Sequence, residues 1–411
     1  MINKIWRSIR SQNTTTFSPE NFDPFAQDFI ATPYPVMAEM IQQGPFRCPN
    51  GSWIISSYSD VAQCLAEPTL SNTPSPYAVV NSRNKERYRC ADVANKILPY
   101  LDAPYHTAPR KILTQQFHGQ WHTSESAIKN SMQKYFPTLQ CHRHGDILSD
   151  FATPVCVEVI LKTLGFSNPT EADISQIKSW SEWFFYLFSI IPNETTRKEL
   201  DAQLAAFHHY CKSEIINARK KNGFIATLLS NEGDIKQFPI EILTENCMLL
   251  IADACNADYA IANAVNLYLQ YPKFSQGLSS PDIHLNKAAD EILRFDSPSL
   301  FIARRTLSEL KIGDHCIPAN QGVLLMLAAA NRDPRVFDNP QHLDITRQHN
   351  PYLSFGKGEH SCIGRKLVRT LISETLATLL ACNAKITLTA PPQWDLRAGH
   401  RWLKSLPVKF R

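Results

Sequence analysis

Two hydrophobic periods run along this chain, and the helical one dominates. From Ala103 to about Asp290, apolar residues recur three and four positions apart, the spacing of one buried helix face. Phe151–Gly165 reads as a helix stopped by its terminal glycine. Residues 171–222 predict two long helices around a break at Pro192-Asn193. The first carries Trp180, Trp183, Phe184, Phe185, Tyr186 and Phe188, a density typical of core, next to a break where aromatics could also roof a pocket. Residues 239–271 are the longest helical run and end at Tyr271-Pro272. The strand period is confined to short pieces: a hairpin over 46–58, then Leu310–Ile312, His315–Ile317 and Gly322–Leu327. Asp60–Ala66 predicts a short capped helix, and Arg365–Leu376 a helix near the C-terminus. Residues 71–100 have no period and carry Arg83, Lys85, Arg87 and Arg89, which predicts a long polar loop with one helical turn at most. The expected class is mainly α with a small segregated β region.

Composition narrows the class. The chain has 411 residues, 44% hydrophobic and 19% charged, which is a globular balance. Length alone would allow two or three domains, but no repeat and no Pro-rich linker divides the chain. A net charge of +4 is too small to argue for nucleic acid. Eleven cysteines are scattered without paired spacing, which fits a reduced, cytoplasmic protein. Met1–Arg10 is weakly basic and amphipathic, too short and too charged to span a bilayer, and reads as a frayed terminus.

The chemistry concentrates in Phe355-Gly356-Lys357-Gly358-Glu359-His360-Ser361-Cys362-Ile363-Gly364. Three glycines in ten residues make a tight loop whose backbone can approach a flat, bulky partner. Cys362 ends the loop just before the predicted helix, where free N–H groups and the helix dipole favour thiolate. A single thiolate on such a loop suits iron, and haem accepts it as an axial ligand. Most cysteines beside turns are only buried packing residues. Here the whole string decides: Phe355, Gly356, Gly358, His360, Cys362, Gly364, Leu367 and Arg369 fall, in order and without a gap, on the haem-loop pattern of the cytochrome P450 family, which this chain resembles. Val368 stands where that pattern usually has alanine.

The resemblance implies a soluble, bacterial-type haem-thiolate monooxygenase with haem b, folded as one continuous domain over residues 17–411 after a flexible stretch 1–16. It makes Cys362 the metal ligand, and Phe355, Gly356, His360 and Gly364 part of the cofactor loop. It places His106 and Arg110, one helical turn apart in Asp102–Arg110, on the haem propionates, with Arg304 as a third partner and Arg305 its neighbour. Each such charge-assisted bond would contribute roughly 1.5–3 kcal/mol. Backbone N–H groups after Cys362 should bond the sulfur. Glu291 and Arg294, three apart on a helix, match the family's buried Glu-x-x-Arg lock, with Arg332 expected as third partner. Lys111, Lys357, Arg365 and Lys366 lie near the thiolate side and could dock an acidic ferredoxin or flavodoxin-type donor; a solvated cationic face would read the same.

The long distal helix departs from the family. Its centre usually reads Ala-Gly-x-Asp/Glu-Thr-Thr, the acid and first threonine relaying protons during oxygen activation. In ungapped register this chain has Ala252-Asp253-Ala254-Cys255-Asn256-Ala257. Asp253 replaces the glycine, Cys255 the acid and Asn256 the threonine, which makes these three the candidate catalytic residues. Three readings stay open. Asn256 or a substrate hydroxyl carries the relay; or the chemistry differs (oxidative coupling, cyclisation, dehydrogenation, peroxide use), with Asp253 or Asp258 as substitute acid or substrate anchor; or the chain is a non-catalytic haem scaffold. Candidates to line the pocket are the 71–100 loop, Phe184, Ala252, Asn256, Ser299, Leu300 and Phe301. The loop arginines could receive an acidic or carrier-tethered substrate, but a solvated loop is the more ordinary reading of such charges.

Overall fold

The computed structural model describes residues 17–219, 223–231 and 238–411. The expected flexible stretch 1–16 lies outside the described residues. The helices that build and position the site are α1 (Pro33–Gln43), α2 (Tyr58–Leu65), α3 (Thr107–Gly119), α4 (Trp121–His142), α5 (Thr153–Leu164), α6 (Glu171–Phe184), α7 (Glu194–Ala218), α8 (Ile240–Cys255), α9 (Ala257–Gln270), α10 (Leu285–Phe295) and α11 (Arg365–Ala381). Shorter helical turns join them. Twelve short strands make four small sheets among the described residues.

The largest sheet has the order β1 (Phe46–Arg47), β2 (Trp53–Ile55), β8 (Gly322–Leu325), β5 (Ile302–Thr306), β3 (Leu70–Ser71). Its only parallel pair is β2 with β8, Trp53 opposite Val323. The hairpin expected over 46–58 is present, with Phe46 opposite Ile54. Gly322–Leu327 is strand only to Leu325, because Leu327–Ala330 turns into a short buried helix. β5 carries no alternation in its sequence, and it forms because it is gripped between β3 and β8.

The helical layers follow the predicted periodicity with three differences. α2 begins two residues before Asp60, capped by the Ser57 hydroxyl, which accepts from the Asp60 N–H. The 71–100 stretch is not a bare loop. It folds a helix at Arg89–Ala94 and buries Val80, Cys90, Val93, Ala94, Ile97 and Leu98 in the main core. The run 239–271 is two helices, because the chain breaks at Asn256. Gly165 ends α5 at φ +81°, as its position predicted.

α8 packs against α5, α6 and α7, and α9 against α11. The distal helix pair is therefore the axis of the main core, and Leu243 to Ile251 are almost wholly enclosed. A second cluster joins α1 and the N-terminal strands, and a third lies under α2 and the β6–β7 hairpin (Leu310–Ile312, His315–Ile317). Among the described residues, no helix is long and apolar enough to cross a membrane.

Candidate active site

The loop Phe355–Gly364 is held as a closed turn. The Cys362 N–H donates to Phe355 O at 2.8 Å, the Gly356 N–H to Leu353 O at 2.8 Å, and the Ser361 N–H to Gly358 O at 3.1 Å. Gly358 has φ +76°, and a Cβ there would meet the Leu65 carbonyl oxygen at 3.0 Å, so a side chain is excluded on two grounds. α11 starts at Arg365, and the N–H groups of Gly364 and Arg365 bond the Cys362 sulfur, as expected for a residue just ahead of a helix. Burial outweighs them and pushes the thiol up to about 11. Metal ligation by sulfur requires the thiolate, so a bound cation would have to supply the remaining stabilisation. The Cys362 side chain has open surface yet lies deep within the protein, facing an internal space.

Four cationic or potentially cationic side chains border that space. His106, immediately before α3, stacks on His360 of the loop with ring centroids 4.0 Å apart. Arg110, one turn into α3, donates to Ser361 O. Arg304 comes from β5. Burial, and then the neighbouring cations His106, Arg304 and Arg110, push the His360 imidazole down to about 3. Burial and then Arg110 lower His106, and burial pushes Arg304 down to about 10. Asp102, an acid whose charge reaches His106, His360 and Arg304, is already engaged by the Ser71 hydroxyl at 2.5 Å and the Asn72 N–H at 3.0 Å. His106 Nδ1 is buried without a partner. Mutually repelling donors with an orphaned nitrogen suit a dianionic edge such as a pair of propionates. Arg305 points elsewhere, to Asn320 and Thr73.

The lock beneath the loop is complete, but its third member is not the expected one. Arg294 forks onto Glu291, and its remaining donors reach Asn331 O, Pro340 O and His342 O at 2.9–3.0 Å. Arg332 does not touch Glu291. Its guanidinium donates to Phe295 O and lies 3.6 Å over the Tyr34 ring. Arg347 takes the third place, with Nε 3.3 Å from Glu291 Oε2, assisted by the Asp344 N–H and the Asn350 amide. Neither position nor spacing marked Arg347, because the irregular segment 338–350 has no period to read. A further tie was missed as well. Arg369 of α11 forks onto Asp290 of α10 at 2.6 Å, with Tyr352 donating to the same carboxylate.

On the opposite side of the space, the three distal candidates separate. Asp253 presents open surface inside the protein, and its charge interacts with Arg110. Burial raises its carboxyl to about 7, with Arg110 opposing. Asn256 sits at the α8–α9 break, 8% exposed, and both its amide oxygen and nitrogen lack partners. Cys255 does not belong with them. It is fully enclosed, faces Ser181 of α6, and burial pushes its thiol up to about 12. It is a packing thiol, not a member of the oxygen side. Asp258 is also committed elsewhere: Thr153 donates to Oδ2 at 2.7 Å, and Lys178 Nζ lies 2.9 Å from the same oxygen and 4.0 Å over the Tyr259 ring.

The expected pocket residues divide in the same way. Ala252 is buried on the distal helix. Ser299 pairs with His400 in an isolated bridge. Phe184 is fully buried among Phe185, Phe188 and Phe207, a core position and not a pocket surface. Leu300 is buried in the N-terminal cluster, and Phe301 packs on Phe25 and Gly399. Lys111, Lys357, Arg365 and Lys366 are exposed near the sulfur side, Lys366 lying over the Trp121 ring at 3.8 Å.

A thiol on a glycine loop, facing an anion-seeking cradle beneath a broken helix, defines a haem-thiolate oxidoreductase. The family model for cytochrome P450 matches residues 284–385. The biotin biosynthesis cytochrome P450 of Bacillus subtilis is 28% identical over 400 residues, covering 94% of this chain and 98% of the relative. Cytochrome P450 monooxygenase PikC of Streptomyces venezuelae is 26% identical, covering 98% and 97%. Among solved structures, P450BioI in complex with a hexadec-9Z-enoic acid ligated acyl carrier protein superposes with a TM-score of 0.83 at 25% identity, covering 94% of this chain and all of that one. CalO2 gives a TM-score of 0.85 at 22% identity, with 95% and 99% covered. Residues 284–385 thus form a cytochrome P450 segment, and along nearly its whole length the chain is similar to cytochrome P450 oxidoreductases of the monooxygenase type.

Proposed function

We propose that this enzyme binds haem b through Cys362 and oxidises a small organic molecule of specialised metabolism, with an oxygen side that runs without the usual acid–alcohol pair. The carrying observation is the cradle: Cys362, His106, Arg110, Arg304 and His360 converge on one internal space from three separate chain segments. Residues 17–411 act as one domain in this reading. The haem supplies oxygen activation when bound. The protein's share is to bond the sulfur through the Gly364 and Arg365 N–H groups, to hold the propionates, and to keep the unpartnered Asn256 amide at the distal helix break. An amide whose donor and acceptor are both free can hold a water or a substrate hydroxyl in a proton path, which is the role left vacant by the missing threonine.

Electrons would come from a ferredoxin or flavodoxin-type donor docking on the cationic surface of Lys111, Lys357, Arg365 and Lys366. The substrate is free or carrier-tethered; the acyl carrier protein complex of P450BioI supports the second form. A cytoplasmic location is supported by eleven cysteines that are all unpaired.

The reduced, carbon monoxide-treated protein should give the thiolate-type Soret shift, and Cys362→Ser should lose it. A shift that survives the substitution overturns the ligand assignment. Asn256→Thr should change the coupling of electron use to product. Unchanged coupling removes Asn256 from the proton path. Uncoupled peroxide alone, across candidate substrates, would favour the haem scaffold reading.

A further inference from the structure

Asp253 is an interior acid with no partner. Among the described residues its carboxylate makes no hydrogen bond and no ion pair, although it lies deep in the protein with open surface and its charge reaches Cys362. Buried charges are normally paired, because an unpaired one loses its hydration without compensation. The cations that could answer it are accounted for. Lys178, which meets α9 at Asp258 and Tyr259, is held by Asp258. His106, His360 and Arg304 belong to the cluster around Cys362. Arg110, which does attract Asp253, donates to Ser361 O and stands in that same cluster, where propionates claim it. One turn further along, the Asn256 amide is buried with neither its oxygen nor its nitrogen partnered.

We infer that Asp253 anchors a positively charged group, an ammonium or quaternary ammonium, on the substrate. The inference rests on the haem-thiolate reading, since it is the bound haem that withdraws Arg110. It explains why an acid stands in a helix where the family usually has glycine. A carboxylate at the same end would face Asp253 as a like charge and be rejected. Burial raises the Asp253 carboxyl and Arg110 opposes it, and a cation seated beside it would favour the charged form.

The test uses the haem-loaded enzyme at about pH 8 and three probes with one ten-carbon chain: decyltrimethylammonium, decanol and decanoate. The quaternary nitrogen cannot ligate iron, so binding is read by the spin-state shift and by calorimetry. The expected order is ammonium, then alcohol, then carboxylate, with the ends separated by on the order of tenfold or more. Asp253→Asn should erase that separation while leaving decanol nearly unchanged, and Asp253→Glu should retain it, which guards against a merely misfolded variant. Decanoate binding as tightly as the ammonium, or a preference that survives Asp253→Asn, overturns the assignment. A protein that shows the thiolate-type carbon monoxide spectrum but no charge preference fails this inference alone. One that lacks the spectrum fails the cofactor reading instead.

Discussion

Arg294 and Glu291 face each other as a two-pronged pair, Nε to Oε2 at 2.8 Å and Nη2 to Oε1 at 2.7 Å, with both side chains 1% exposed or less. Every remaining direction of the guanidinium ends on a backbone carbonyl of the segment 331–342. The pair therefore ties α10 to the irregular chain that leads into the cysteine loop. Removing one member leaves the other charged and buried. Glu291→Gln or Arg294→Leu should cost about 3–5 kcal/mol. Arg294→Lys should not recover it, because an ammonium cannot reproduce the fork. Urea unfolding of the three variants checks this, and a loss below about 1 kcal/mol would contradict the lock.

Arg347, not Arg332, couples to Glu291. A double-substitution cycle of Arg347→Ala with Glu291→Gln should show an interaction on the order of 1 kcal/mol or more. The same cycle with Arg332→Ala should be additive to within about 0.5 kcal/mol, since that guanidinium bonds Phe295 O and covers Tyr34. The reverse pattern would restore the arrangement expected from the sequence.

Arg110→Ala and Arg304→Ala should each loosen haem without abolishing the fold. Losing one charge-assisted bond of about 1.5–3 kcal/mol weakens retention roughly ten- to a hundredfold. Transfer of haem to apomyoglobin measures it. Arg305→Ala is the control, since Arg305 bonds Asn320 and Thr73, and it should retain haem as the parent does.

His400 should make the protein acid-sensitive. Its ring stacks on Trp402 at 4.0 Å and meets the Phe185 edge, with Nδ1 buried and unpartnered. Burial, with Arg397 adding repulsion, pushes the imidazole down to about 3. The unfolded chain thus binds a proton that the folded one refuses between about pH 6.5 and 3. Stability is intact above that window and falls as pH drops through it, by at most about 1.4 kcal/mol per pH unit for this one group. His400→Phe should flatten that slope in chemical denaturation between about pH 6 and 4. Equal slopes in both proteins would assign the acid response to other groups.

The residues that sequence revealed best are those whose role depends on local spacing. Cys362, Gly356 and Gly358 lie within one turn, so backbone geometry dictates their types. Glu291 and Arg294 meet because they are three apart on one helix. α5 and its Gly165 stop, the hairpin at Phe46–Ile55 and the long helices of residues 171–218 were legible for the same reason. Arg347 escaped notice because it reaches Glu291 across 56 positions from an aperiodic segment. The 71–100 stretch misled because its charges are visible, whereas the burial of Cys90, Val93, Ile97 and Leu98 depends on what packs against them.

The sequence alone determined the class: a helix-dominated chain with a thiolate loop, an acid–base lock and a distal helix of altered composition. Each of these is a short-range pattern, written in spacing and residue type. The tertiary structure decided which altered residues matter. Cys255 and Asp253 are two positions apart on one helix, yet that rotation turns the cysteine onto Ser181 of α6 and the acid into the space before Cys362. Likewise only packing showed that Asp258 is taken by Lys178 while Asn256 is left unpaired at the helix break. Whether a polar group is free or committed depends on partners distant in the chain, and those are brought together only by the fold.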